Sequence, residues 1–164
     1  MSDQTPGSYP EPFLPGGLPL HGKFARFQGM VFSCRTGAFQ GNDRLKEDVT
    51  LIWRGIDDPG GPHWTNAPHP FFRDRWEWTR VVKQHETDDM FFCVATAGWH
   101  GLELGGLEYT PATGLVGGYL SVGTSFTHPA LERLRGLVRL DPSTLHSQIP
   151  LDEIERLEIS RTQV

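Results

Sequence analysis

Between Trp53 and Arg80 the chain concentrates the residues best able to hold a ligand. Trp53, Trp64, Phe71, Phe72, Trp76 and Trp78 share this stretch with His63 and His69 around a Gly/Pro-rich turn. It contains four of the five tryptophans in 164 residues. Aromatic rings at this density carry large burial energies, so something has to cover them: the fold, a ligand or another protein. Trp53, Trp64, Phe72, Trp76 and Trp78 are therefore ligand-binding candidates, with Tyr119 further along the chain. Arg80 shares the Trp76 and Trp78 face of its strand. A guanidinium there can stack on aromatic rings or anchor an anionic group, or snorkel at the sheet edge. Glu77, between the two tryptophans, points the other way and is expected to be solvated.

His100 follows Trp99 at a strand entrance and is a candidate general acid or base near neutral pH. Its plainer reading is a rim histidine, because on a strand His100 and Glu103 would lie on opposite faces. His63 and His69, with Asp57, Asp58 and Asp74, contain enough donors for a three-ligand metal site. Their five-residue separation across a proline is not that of a helical face or zinc turn, and loop histidines bonded to backbone or water are expected. No nucleophile elbow, P-loop or dinucleotide glycine fingerprint is present. No cofactor is expected, and whether the protein is an enzyme stays open.

The composition suits a soluble globular protein, with 37% hydrophobic and 21% charged residues. A net charge of -5 disfavours binding to a phosphate backbone, and the Arg133, Arg135 and Arg139 run is diluted by Glu132 and Asp141. No signal peptide or membrane-length apolar run is visible, so a cytoplasmic location is expected, with Cys34 and Cys93 as buried thiols. Glycine (19) and proline (13) are abundant, which implies many turns.

The elements that must position these side chains read as strands. Residues 23–35 form one long curved strand, 48–56 a second and 75–84 a clear alternator. Residues 90–96 are apolar on both faces, and 99–110 is interrupted at Gly105-Gly106. Residues 115–125 carry glycines that suggest bulges or close approach. Residues 127–136 are the best helix candidate, 137–141 a strand, and 151–157 a helical turn before a last strand. The expected fold is mainly β, a single antiparallel and strongly curved sheet or a barrel of about eight strands, with one or two short helices. A β-sandwich is the alternative. Residues 1–22, rich in proline yet carrying Tyr9, Phe13, Leu14, Leu18 and Leu20, read as an arm or lid, and 23–164 as one barrel-like domain.

The stretch from Tyr109 to Leu120, YTPATGLVGGYL, resembles the late hairpin of allene-oxide-cyclase-like β-barrels, including spirotetronate-type polyketide cyclases. That resemblance implies an eight-stranded barrel that folds an apolar substrate for cyclisation without metal or cofactor, with a terminal segment as lid. It carries over no catalytic residue, and the loop 57–74 and helix 128–135 depart from its compact pattern.

Two functions follow. In one, a barrel-like cavity binds a small apolar or aromatic molecule and promotes a cofactor-free cyclisation or isomerisation by shape, with Arg80 or His100 orienting a polar group. In the other, the chain is a structural subunit of a larger assembly, with loop 57–74 and the arm as contacts. The expected partner is an apolar molecule or a protein, not nucleic acid or membrane, and a homo-oligomer is compatible with either.

Overall fold

The computed structural model describes residues 11–36, 47–54, 61–68, 76–121, 129, 131, 138–141 and 144–164. The fold is mainly β, built from antiparallel strand pairs. Its strands are β1 (Gly22–Phe27), β2 (Met30–Thr36), β3 (Asp48–Trp53), β4 (Thr65–Pro68), β5 (Trp76–Lys83) and β6 (Asp89–Trp99). They continue with β7 (Leu102–Thr110), β8 (Leu115–Ser121), β9 (Val138–Asp141), β10 (Thr144–Pro150) and β11 (Glu155–Gln163). Short 3-10 turns lie at Gln84–Glu86 and Leu151–Glu153, and Pro129 and Leu131 are also in 3-10 conformation. The helix expected over 127–136 lies largely outside the described residues.

The chain divides into two compact units. Their described parts fall within Gly22–Phe92 with Thr162–Val164, and within Pro10–His21 with Cys93–Arg161. In the first, hydrogen bonding orders the strands β4-β5-β3-β2-β1; in the second, β6-β7-β8-β10-β9, with β11 pairing β6. Each unit has its own core. Ala25, Phe27, Phe32, Cys34, Val49, Leu51, Trp64, Val82 and Met90 form the first. Leu20, Ala95, Ala97, Trp99, Leu104, Leu107, Val116, Leu120, Leu131, Leu145 and Ile149 form the second.

Residues 23–35 are two strands, where one long strand is expected. Gln28 (φ 50°) and Gly29 (φ 80°) are both left-handed, the backbone of a two-residue I′ turn between the paired Phe27 and Met30. Apolar residues on both sides of the turn hide it in the sequence. The same device, His100 (φ 47°) and Gly101 (φ 81°), joins β6 to β7.

The interruption expected at Gly105-Gly106 is a β-bulge. Gly105 pairs with Tyr119 and Glu108 with Gly117, so β7 carries one extra residue, and Gly106 takes the left-handed conformation (φ 60°). That extra residue lets Leu104 and Leu107, three apart, both face the core at 1% exposure. Gly118 of β8 serves close approach instead: a Cβ there would lie 2.9 Å from Leu107 Cδ2.

The segment expected to be an arm packs within the second unit from Glu11 onward. Glu11 exchanges backbone hydrogen bonds with Tyr109, and Leu20 is 1% exposed in the core. Leu14 lies against that core and Leu18 stays exposed. Residues 1–10 lie outside the description.

Replacing Gly29 by alanine forces a Cβ into a left-handed position and is expected to cost about 1 kcal/mol, while Gln28→Asn, better suited to the turn, adds stability. Urea denaturation of both variants checks this; equal stability of Gly29→Ala and the natural chain would contradict the turn.

Candidate functional site

The first unit gathers most of the aromatic candidates on one face of its sheet. Strand alternation places Trp76, Trp78, Arg80 and Val82 together on β5, with Leu51 and Trp53 beside them on β3 and Phe32 and Cys34 on β2. Trp53 and Trp78 are directly opposite, both half-buried against the core. The Phe32 ring meets Trp53 edge-on at 6.1 Å and Trp64 at 5.2 Å. The Arg80 guanidinium lies 4.7 Å over the Phe27 ring.

These last two contacts require the curl. Arg80 is on β5 and Phe27 on β1, with β3 and β2 between, which in a flat sheet would separate the strands by about 14 Å. Trp64, just before β4, likewise reaches Phe32 past β5 and β3. The concave side is therefore packed largely by its own rings.

Trp64 is buried at 8% exposure and acts as core. Trp76 is half-buried opposite Pro68. Phe72, with Phe71, His69, Asp57, Asp58 and Asp74, lies outside the described residues, and His63 is exposed. Among the described residues no group of three or more His, Cys, Asp or Glu side chains is arranged to hold a metal ion.

Tyr119 and His100 belong to the second unit. Tyr119 is 48% exposed on the face of β8 opposite the buried Leu120, and its ring meets that of His146 at 5.5 Å. His100 is an exposed turn residue whose ring packs edge-on against Trp99 at 4.6 Å. Its left-handed backbone makes it a turn residue, where a strand entrance is expected.

Glu77 departs most from expectation. It does face away from Trp76 and Trp78, yet it is 1% exposed rather than solvated. Arg35 donates two hydrogen bonds, Nη1 to Oε2 and Nη2 to Oε1, both 2.9 Å. Arg54 Nε adds a 3.4 Å contact to Oε1. A forked guanidinium satisfies both carboxylate oxygens at once, which allows the charge to be buried. Alternation gives the direction of Glu77, but Arg35 on β2 and Arg54 just after β3, which both bond to it, are not near it in sequence.

Among the described residues, the groups around the tryptophans are aromatic rings, the Arg80 guanidinium and the Cys34 thiol. Both cysteines are free and buried. Burial pushes the Cys34 thiol up to about 11, against a smaller opposing influence of the Lys23 charge. It is not a thiolate nucleophile at neutral pH. Arg80 is half-buried, and among the described residues its guanidinium makes no hydrogen bond or ion pair. No family model, curated protein or solved structure matches the chain.

Two stability effects follow. Removing Glu77 strands two arginines, and Glu77→Ala should cost about 3 kcal/mol, whereas Arg54→Ala, losing one long contact, should cost about 1 kcal/mol or less. Urea midpoints decide between them; a Glu77→Ala protein as stable as the natural one would show that the fork contributes nothing. The raised Cys34 value means the native thiol holds its proton where the unfolded one has lost it. Its contribution is complete below pH 9 and disappears as pH rises toward 11, by at most about 3 kcal/mol. The alkaline fall in stability should accordingly be shallower for Cys34→Ala than for the natural chain.

Proposed function

We propose that the first unit binds a small, largely aromatic or apolar molecule that carries an anionic or hydrogen-bond-accepting group. The observation that carries the reading is Arg80. Its half-buried guanidinium stands beside Trp78 and over Phe27, and among the described residues no carboxylate pairs with it. A charge removed from water without a hydrogen-bonding partner is unfavourable, and an acceptor delivered by a ligand would offset that cost. Trp53 and Trp78, opposite one another and only half-buried, offer rigid aromatic edges for the apolar part.

The burial of Trp64 against Phe32 favours this reading over one in which its loop grips a protein partner, since its ring is already engaged. The function proposed is binding. A cyclisation, as the hairpin resemblance implies, would draw no thiolate from Cys34, which burial holds protonated.

Anilinonaphthalene sulfonate, an aromatic anion, is a suitable probe, with neutral phenylnaphthylamine as control. Saturable fluorescence enhancement by the sulfonate is expected, weakened about tenfold in Arg80→Met. The neutral probe should bind the two proteins equally, and Trp78→Ala should weaken both probes. Absence of saturable binding, or an Arg80→Met variant that binds the sulfonate as well as the natural protein, would overturn the proposal.

A further inference from the structure

The outward face of the second unit carries a different surface, independent of the aromatic cluster. A cleft of about 270 Å³ is lined by Thr96, Gly98, Glu103, Arg156 and Glu158, with Gly101 and Leu102 at its end. Arg156 stands in β11 with a left-handed backbone (φ 50°), and its guanidinium lies across Gly98. A Cβ at Gly98 would come within 2.8 Å of Arg156 Nη2, so the glycine is what permits that placement. Glu103, Arg156 and Glu158 face one cleft, yet among the described residues no hydrogen bond or ion pair joins them.

The register extends this face sideways. Thr96 pairs with Gly105, Gly105 with Tyr119, and Tyr119 with His146, and directly opposed residues share a face. A Cβ built on Gly105 would meet nothing within 4 Å, which leaves an open slot between Thr96 and Tyr119. The Tyr119 ring lies over Gly106, where a Cβ would stand 2.9 Å from its Cδ2 and Cε2. The His146 imidazole lies over Gly117. The result is a glycine-floored trough about 10 Å across, two strand spacings from β6 to β8. Arg156 and Glu158, on β11 beside β6, stand at one side and the half-exposed Tyr119 at the other, while Glu103 stands on β7 two residues along from Gly105.

We propose that this trough is a carbohydrate-binding site. Charges of both signs that are not paired with each other disfavour a simple ion. An anion meets two carboxylates, and a cation meets the guanidinium. A neutral sugar matches both, because each hydroxyl donates to a carboxylate or accepts from the guanidinium. The exposed Tyr119 ring supplies an aromatic surface for the apolar C–H face of a pyranose. The bare backbone at Gly105 lets a flat ring approach closely, beside the Arg156 guanidinium that covers Gly98.

The test is titration of the full chain, isotopically labelled, with maltotriose, cellotriose and chitotriose, followed by amide chemical shifts. At least one trisaccharide should shift the Gly98, Gly101 and Gly105 amides saturably, with Kd of about 1 mM or tighter. Tyr119→Ala and, separately, Glu103→Gln should each weaken binding about tenfold. Circular dichroism should establish that both remain folded; Glu103 is exposed, so its variant tests the site even if Tyr119→Ala loses its fold. The proposal is overturned if no trisaccharide moves those amides, or if Glu103→Gln binds as tightly as the natural chain. It is equally overturned if lysine or acetate shifts them and the sugars do not, since the face would then be an ion site.

Discussion

The curl of the first unit's sheet is the constraint on which its other features rest. Strands whose two faces both carry large apolar side chains cannot remain flat with one face in water. Here the β5 side of the sheet bends over until Arg80 reaches Phe27 and Trp64 reaches Phe32. Each ring contact of this kind contributes about 1 kcal/mol beyond its burial. Together they bring residues from four strands into one aromatic cluster. The same bending leaves Trp53 and Trp78 at the margin of that cluster, half covered.

The opposite face of those strands solves a harder problem. Ile52 and Phe24 are buried there, and so is Glu77. A carboxylate beside apolar neighbours is tolerable only when both oxygens are paired, and the Arg35 fork does this with two short hydrogen bonds. The ion pair ties β2 to β5 across the intervening β3, so it fixes relative strand position as well as charge. In the second unit, glycine does the corresponding positional work. The Gly106 bulge restores the inward direction of Leu107, Gly98 makes room for the Arg156 guanidinium, and the bare surface of Gly105 leaves space that a side chain would otherwise fill.

Much of the architecture was legible because local rules dominate it. The alternation of Trp76, Trp78 and Val82 against Glu77, Thr79 and Lys83 set β5 correctly, and the turn Pro111–Gly114 ended β7 where expected. Other elements were not legible. The Gln28-Gly29 turn lies inside an apolar run, so periodicity carried straight through it. Thr144–Pro150, paired with β8 along its length, mixes polar and apolar residues and draws its strand character from that partner. Helical spacing of Leu151, Ile154 and Leu157 yielded only one 3-10 turn before β11, because tertiary pairing with β6 outweighed a weak local preference.

The sequence by itself determined the class of fold, the facing of Trp76, Trp78 and Arg80, and the burial of the two thiols. Those follow from alternation, from turn residues and from apolar context, all of which act over a few neighbours. Only the tertiary structure decided which partners those side chains meet. It paired Glu77 with Arg35, 42 positions away, and seated Arg80 on Phe27. It also assigned Tyr119 and His100 to a different unit from the tryptophans. The physical reason is that strand order and curl choose these neighbours, and neither is encoded in the spacing of residues along one strand.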